Sequence, residues 1–427
     1  MKRLLLTVAL TALVTAGAAS AHAILLHISP ADHALLTRSP PAIRVTFDDA
    51  IRVGAGNAAV SNADGSSILA GPPRIAGHTL ILTLHPRLAR GDYSVRWSIV
   101  AEDGHREQGV LAFGVGRSGT PPFSILGSSA GLSWTDVVLR ALFLFGALTA
   151  AGVFAFWLLM RRLFGDELRG LVTRLLFFGL FTAFVGAGGL VYTTTGGTRF
   201  ALLAQVAAIG AAVGAASAAL ARPRAVLLPV AGLLAVCLTA IPAFAGHARD
   251  RGSPQWLAVP VDLLHLGAAA VWIGGLLTLL AVLRAPLGIE TTRRAAARRF
   301  STVALAAVGV LAASGVGRSL SELDSISQLW STAYGQMLFV KTALFVPLLG
   351  IGRLNRRLLE RDTARLRRPL QVELAGLVVI LAVVGVLTDP RPGSESPPTP
   401  KPALQTTQGS GSYSRVEGVE AGSTASR

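Results

Sequence analysis

Apolar side chains recur at every second position in several short runs between residues 43 and 115. A period of two puts alternate side chains on opposite faces of a strand, so each run predicts a half-buried β-strand. Turn formers such as Pro40-Pro41 and Gly91-Asp92 separate the runs. The pattern is typical of an antiparallel sandwich or barrel, which we assign to residues 22–117. The apolar positions of the strands are Ile43, Val45, Phe47, Leu80, Leu82, Leu84, Tyr93, Val95, Trp97, Ile99, Leu111, Phe113 and Val115.

Beyond residue 134 the alternation gives way to apolar stretches that are long enough to cross roughly 30 Å of hydrocarbon as helices. Together with 52% hydrophobic residues and a mean hydropathy of +0.56, they predict a multi-domain membrane protein. An all-β domain precedes an all-α bundle of about eight transmembrane helices over 134–388. We place the spans near 134–160, 171–195, 199–221, 225–245, 258–283, 300–320, 334–353 and 370–388.

Three further segments have compositions of their own. Residues 1–21 have the three parts of a signal peptide: a basic start, an apolar run and the small-residue cleavage signal Ala19-Ser20-Ala21. The linker 118–133 is rich in Gly, Ser and Pro and predicts a flexible tether. The tail 389–427 has little apolar content, which predicts an exported, disordered segment.

The net charge of +16 has a topological explanation. Loops on one side of the predicted bundle hold roughly eighteen arginines and the opposite short loops hold four. Basic residues concentrate on the cytoplasmic side of membrane proteins, so the all-β domain and the tail are expected outside the cytoplasmic membrane. Because the charge sits in these loops, we expect the lipid bilayer and not nucleic acid as the partner.

Candidate metal ligands occur at two places in the all-β domain. Cleavage after Ala21 gives His22 a free α-amine beside its imidazole, and Asp103-Gly104-His105 forms a tight turn that aims two side chains at one point. Amine, two imidazoles and a carboxylate are a tetragonal set suited to Cu(II). Each feature alone has a plainer explanation, an accident of where the leader ends and a solvated turn. The single Cys237 excludes an intramolecular disulfide and any CxxC motif.

Polar residues also interrupt the predicted spans. His247 lies at the mouth of the fourth span, and His265 lies about two turns into the fifth with Asp262 on the same helical face. Lys341 lies at similar depth in the seventh. Ionisable groups at this depth usually face the bundle interior or a watery cavity, so we expect a polar layer and a possible metal path. The alternative is that charged groups of this layer snorkel to the interface and pair.

The all-β domain resembles CopC, on the strength of His22, Ser29-Pro30, the Phe47 strand and the segment Ser98 to Phe113 with its Asp-Gly-His turn. The resemblance implies a periplasmic copper carrier with an immunoglobulin-like sandwich. It also implies that His22, Asp103 and His105 bind Cu(II). The chain departs from the family in having Arg106 where proline often follows the turn. It has no methionine in the mature domain for a Cu(I) site.

The membrane part resembles CopD, an inner-membrane protein associated with copper uptake or tolerance. The resemblance rests on four segments, and the whole chain is similar to CopC–CopD fusions of the YcnJ type. It implies copper handling, and we assign Trp272, Lys341 and Asn355 of these segments to a structural or polar layer. The four segments are Gly246-His247-Ala248, Asp262 to His265 running into Trp272-Ile273-Gly274-Gly275-Leu276, Tyr334-Gly335 with Lys341, and Asn355-Arg356-Arg357.

These features predict a non-enzymatic copper protein that captures Cu(II) outside the cytoplasmic membrane and takes part in copper uptake, homeostasis and tolerance. Other periplasmic copper carriers are possible partners. The alternative is a copper-buffering module whose membrane part is an anchor or partner surface. A copper oxidase is disfavoured because Asp103 fills the coordination position that oxygen chemistry needs. A haem protein would need paired axial histidines, and only His265 lies clearly within the membrane.

Overall fold

The computed structural model describes residues 23–102, 104, 106–126, 133–194, 196–245, 255–285, 287–323, 325–359 and 366–387. Its first part is a two-sheet β-sandwich. Its second part is helical and contains eight helices long and apolar enough to span a membrane. The predicted fold class and the number of spans are therefore confirmed for the part of the chain described.

One sheet has the strand order β1-β3-β7-β6, and the other has the order β2-β9-β8-β4, with β5 also pairing with β8. Most pairs are antiparallel as predicted, but β2 runs parallel to β9. The strands are β1 (Leu25–Ser29), β2 (Ala34–Leu36), β3 (Ala42–Phe47), β4 (Ile51–Val53), β5 (Ala58–Ser61), β6 (Arg74–Ala76), β7 (Thr79–Thr83), β8 (Gly91–Ala101) and β9 (Arg106–Val115).

All thirteen apolar positions of the predicted strands are buried between the sheets. Phe47 meets Trp97 edge-on, with ring centroids 5.5 Å apart, and so joins the two sheets at the centre of the core. The opposite face of β8 is also covered, because Ser94 and Ser98 are fully buried there. The Ser94 hydroxyl donates to Asn62 Oδ1 at 2.6 Å, and the Ser98 amide donates to Asn57 Oδ1 at 2.7 Å.

The first part of the predicted linker packs along the sandwich. Arg117 pairs with Asp92, His33 Nδ1 donates to Pro122 O at 2.6 Å, and the Ile125 amide donates to the Ser94 hydroxyl at 2.8 Å. His33 thus helps to hold this segment although it is exposed. A Gly- and Pro-rich composition allows a flexible chain but does not prevent these specific hydrogen bonds.

The helical part is built around two buried helices, α1 and α5, which pack against each other. Helix α1 also contacts α2, α4, α6 and α9. The helices are α1 (Trp134–Phe164), α2 (Glu167–Thr193), α3 (Arg199–Leu220), α4 (Leu227–Ala245), α5 (Gln255–Arg284), α6 (Glu290–Glu322), the short α7 (Gln328–Ser331), α8 (Ala333–Leu359) and α9 (Arg367–Leu387).

Candidate metal centre

Four of the predicted metal ligands, His22, Asp103, His105 and His247, lie outside the described residues. Ala23, which follows His22, and the chain neighbours of Asp103 and His105 are described, whereas the neighbours of His247 also lie outside the described residues. Within the described ranges, no group of three or more His, Cys, Asp or Glu side chains is arranged to hold a metal ion. The described residues of the candidate site are therefore the neighbours of these ligands and the polar groups of the membrane part.

The segment that follows His22 enters the sandwich beside β4. The Ile24 amide donates to Asp48 Oδ1 at 2.7 Å, and the Asp48 amide donates back to Ile24 O at 3.1 Å. Three residues after Asp48, Ile51 pairs with Ala101, the last residue of β8. Ala23 and Ala101 are each 1% exposed and belong to the same core cluster. The chain next to His22 and the end of β8 therefore lie at the same end of the sandwich.

The turn between β8 and β9 spans the positions from Glu102 to His105. At its centre Gly104 has φ 83°, a left-handed conformation that favours glycine, and its amide donates to Ala101 O at 3.0 Å. The two long strands that flank the turn pair continuously over ten residue pairs, from Gly91–Val115 to Val100–Arg106. A rigid hairpin thus carries the positions of the two predicted turn ligands.

The same turn contacts the N-terminus of α3. The Arg199 amide donates to Glu102 Oε2 at 2.9 Å, and the Phe200 amide donates to Glu102 O at 3.0 Å. A third bond runs from Arg52 Nη2 to Gly197 O, at 2.9 Å. Glu102 thereby satisfies two of the amides that a helix leaves unpaired at its start. No local sequence pattern predicts this contact, because Glu102 and Arg199 are 97 positions apart.

In the membrane part, His265 and Asp262 both reach from α5 to α6. His265 Nδ1 lies 2.8 Å from Ser314 Oγ, and Asp262 pairs with Arg318 at 3.0 Å. The Ser314 hydroxyl donates its single proton to Val310 O, at 2.6 Å. We therefore assign the proton of the imidazole to Nδ1, which leaves the lone pair on Nε2. A metal-binding histidine is commonly held in this way, with its other nitrogen donating to an oxygen.

Charged groups of α5, α6 and α8 lie near His265. The cationic groups of Lys341 and Arg318 both act on its imidazole, and Asp262 is engaged by Arg318. Cys237, the single cysteine of the chain, is exposed. Asp262 and Arg318 thus pair between α5 and α6, and the predicted polar layer as a whole stays a prediction.

Trp272 and Asn355 meet at a buried carboxylate that sequence reasoning did not single out. Trp272 Nε1 donates to Glu373 Oε1 at 2.8 Å, and Asn355 Nδ2 donates to Glu373 Oε2. Glu373 is 4% exposed and links α5, α8 and α9. A carboxylate within an apolar span is the signal that could have found it, since charged groups there are costly and seldom lack a purpose. Lys341 lies 14 residues before Asn355 on α8, and the layer predicted to include both stays a prediction.

Comparison with known proteins agrees with this architecture. The CopC domain model matches residues 25–116, and the Copper resistance protein D model matches residues 294–387. The chain is a CopC–CopD fusion. It is 28% identical to the copper transport protein CutJ of Bacillus subtilis over 432 residues, which covers 90% of this chain and 77% of that protein.

Two further relatives match the sandwich part. Protein YobA of Escherichia coli K12 is 33% identical over 116 residues, which covers 26% of this chain and 93% of that protein. The crystal structure of CopC from Methylosinus trichosporium OB3b is 23% identical with a TM-score of 0.20, and it covers 22% of this chain and 93% of that one. The two family matches and the eight apolar helices make the fusion a multi-pass membrane protein of the copper resistance and transport families, as the sequence predicted.

Proposed function

We propose that the fusion captures Cu(II) outside the cytoplasmic membrane and takes part in copper uptake. The observation that carries this proposal is the convergence of Ala23 and Ala101 at one end of the sandwich. His22 is the neighbour of Ala23, and Asp103 and His105 follow Ala101 by two and four positions. The shared position of these neighbours supports a common site for the three predicted ligands.

The chemistry of the proposed site depends on removal of the signal peptide. Cleavage after Ala21 would leave the α-amine and imidazole of His22 to form a chelate ring. His105 would add a second imidazole, and Asp103 would add an oxygen. Three nitrogens and one carboxylate oxygen suit the tetragonal preference of Cu(II) and leave no position for oxygen chemistry. This donor set supports a binding role and not an enzymatic one.

The membrane part offers a route inward from that site. The β8–β9 turn contacts the N-terminus of α3, and the proposed topology puts this end of the bundle outside. His247 precedes α5 at the same end, and His265 lies about 15 Å along α5 from its start at 1.5 Å per residue. The Nε2 lone pair of His265 makes it the described group best prepared to receive copper.

Electron paramagnetic resonance of the mature full-length chain tests the capture step. We expect a tetragonal Cu(II) spectrum with nitrogen hyperfine structure and a preference for Cu(II) over Zn(II). One residue added before His22 abolishes the chelate while leaving every side chain in place, so it should change the spectrum. An unaltered spectrum, or equal affinity for zinc, rules out the proposed donor set.

A copper accumulation assay in cells tests uptake. We expect His265→Ala to reduce copper accumulation, whereas His78→Ala, at an exposed position of the sandwich, serves as the matched histidine control. Equal accumulation by wild type and His265→Ala at equal expression removes His265 from the route.

The second candidate function is copper buffering, and the cationic groups of Lys341 and Arg318 near His265 favour it because cations disfavour the approach of a copper ion. In that case the membrane part serves as an anchor or partner surface. Buffering predicts that His105→Ala loses copper tolerance while Asp262→Asn and His265→Ala keep it. Uptake predicts instead that Asp262→Asn and His265→Ala lower copper accumulation, which buffering leaves unchanged.

A further inference from the structure

The contact between the β8–β9 turn and α3 involves the residues next to two of the proposed Cu(II) ligands. Glu102, which precedes Asp103, gives both its carboxylate and its carbonyl oxygen to α3 amides, at 2.9 and 3.0 Å. Gly104, between the two turn ligands, packs against the ring of Phe200, where an added Cβ would lie 2.7 Å from Cδ1. A side chain larger than that of glycine therefore has no free space at position 104.

This surface of the membrane part is positively charged. The Nε and both Nη atoms of Arg199 are buried and have no hydrogen-bond partner within the described parts of the chain. The guanidinium carbon of Arg140 lies over the Phe200 ring, 5.6 Å from its centroid. The start of α3 contributes the positive end of its helix dipole. Glu102 offsets part of this charge, but its carboxylate binds the Arg199 backbone and not its guanidinium.

We propose that this contact is a copper-release device in which the buried charge of Arg199 weakens Cu(II) binding at the docked turn. The inference rests on the proposed function. A Cu(II) ion held by three neutral nitrogens and one carboxylate keeps a net charge of +1. A guanidinium near that complex raises its free energy, and the partial exclusion of water at the contact strengthens the repulsion. The undocked turn then captures copper, and docking lowers its affinity above the start of the membrane route.

The first experiment measures Cu(II) affinity of the mature full-length chain in lipid nanodiscs, by competition with a chromophoric chelator. Arg199→Gln removes the charge, and we expect it to raise Cu(II) affinity about tenfold, which equals about 1.4 kcal/mol. Arg199→Lys keeps the charge and should bind copper as the wild type does. Arg74→Gln removes an exposed sandwich charge on β6 and controls for net charge. An unchanged affinity in Arg199→Gln, or an equal rise in Arg74→Gln, overturns the proposal.

The second experiment holds the contact closed and does not depend on how Arg199 variants fold. With Cys237→Ser as background, Arg52→Cys and Gly196→Cys introduce thiols on the two sides of the contact. Gly196 has room for a Cβ, and the Arg52 side chain already reaches Gly197 O. A short bismaleimide bridges the thiols, and N-ethylmaleimide caps them in the control, so neither sample has free thiols that bind copper.

We expect the bridged protein to bind Cu(II) about tenfold more weakly than the capped protein, and Arg199→Gln to abolish that difference. Equal affinity of bridged and capped protein overturns the release device. Failure of the capped protein to bind Cu(II) at all contradicts the proposed function itself, so the two failures are distinguishable.

Discussion

At the scale of single residues, Glu373 is the most informative group of the membrane part. Its carboxylate accepts hydrogen bonds from Trp272 and Asn355, and the three side chains are at most 8% exposed. Loss of the Glu373 carboxylate leaves the N–H donors of Trp272 and Asn355 buried without an acceptor. A glutamine at this position still provides one acceptor oxygen. Asn355 Oδ1 is buried without a hydrogen-bond partner, so a rotated Asn355 amide can accept from that glutamine.

We therefore expect Glu373→Ala to lower the free energy of unfolding by about 1–3 kcal/mol, because buried donors lose their partner. Glu373→Gln should cost clearly less. Reversible unfolding in mixed micelles, followed by tryptophan fluorescence, measures both. Equal losses of unfolding free energy in the two variants contradict the hydrogen-bonding explanation. No loss in either variant contradicts a stabilising role for the Glu373 contact between α5, α8 and α9.

At the scale of elements, the helices around α1 approach closely through small residues. Gly146 of α1 lies against the α2 backbone at Gly179 and Ala183, and Gly152 lies against α5 at Ala270 and Gly274. Helices in lipid gain little from the hydrophobic effect, so close van der Waals packing of small residues supplies much of their association. A methyl group at such a position has no free space to occupy.

Gly152→Ala tests this packing. We expect it to destabilise the membrane part by about 1–3 kcal/mol, because an added Cβ meets the α5 backbone and forces the two helices apart. Gly188→Ala on α2 is the matched control: nothing lies within 4 Å of its added Cβ. This control should be neutral or more stable, by up to about 1 kcal/mol, from better helix propensity. Equal effects of the two substitutions on thermal unfolding contradict close packing at Gly152.

At the scale of the whole molecule, the sandwich and the arginine-rich loops are expected on opposite sides of the bilayer. Ala76 ends β6 in the sandwich, and Ala225 lies between α3 and α4 beside two of the loop arginines, Arg222 and Arg224. Both alanines are exposed. The positive-inside rule puts the first outside the cytoplasmic membrane and the second inside.

Cysteine labelling of intact cells measures this topology, because Cys237 is the chain's only cysteine and Cys237→Ser gives a clean background. We expect a membrane-impermeant maleimide to label Ala76→Cys but not Ala225→Cys, and both after the membrane is opened. Labelling of Ala225→Cys in intact cells means that the arginine asymmetry does not set the orientation.

The sequence alone determined the properties that depend on local periodicity and composition. The alternation through Val45 and Trp97 predicted buried strands, and the lengths of the apolar stretches predicted eight spans. Both predictions succeed because a buried strand face or a membrane span requires apolar residues at nearby positions of the chain. The resemblance at the Asp103-Gly104-His105 turn likewise needed only short segments. The positions of these ligands, and the linker boundaries 118–133, stay predictions.

Only the tertiary structure decided which distant residues meet. It placed Glu102 on the start of α3, Glu373 between Trp272 and Asn355, and β2 in parallel beside β9. Each of these contacts joins segments that are far apart in the chain, and no local pattern encodes the partner. Burying a polar side chain in an apolar span without a partner costs free energy, so its presence predicts that a partner exists. Which residue is the partner depends on how the helices pack.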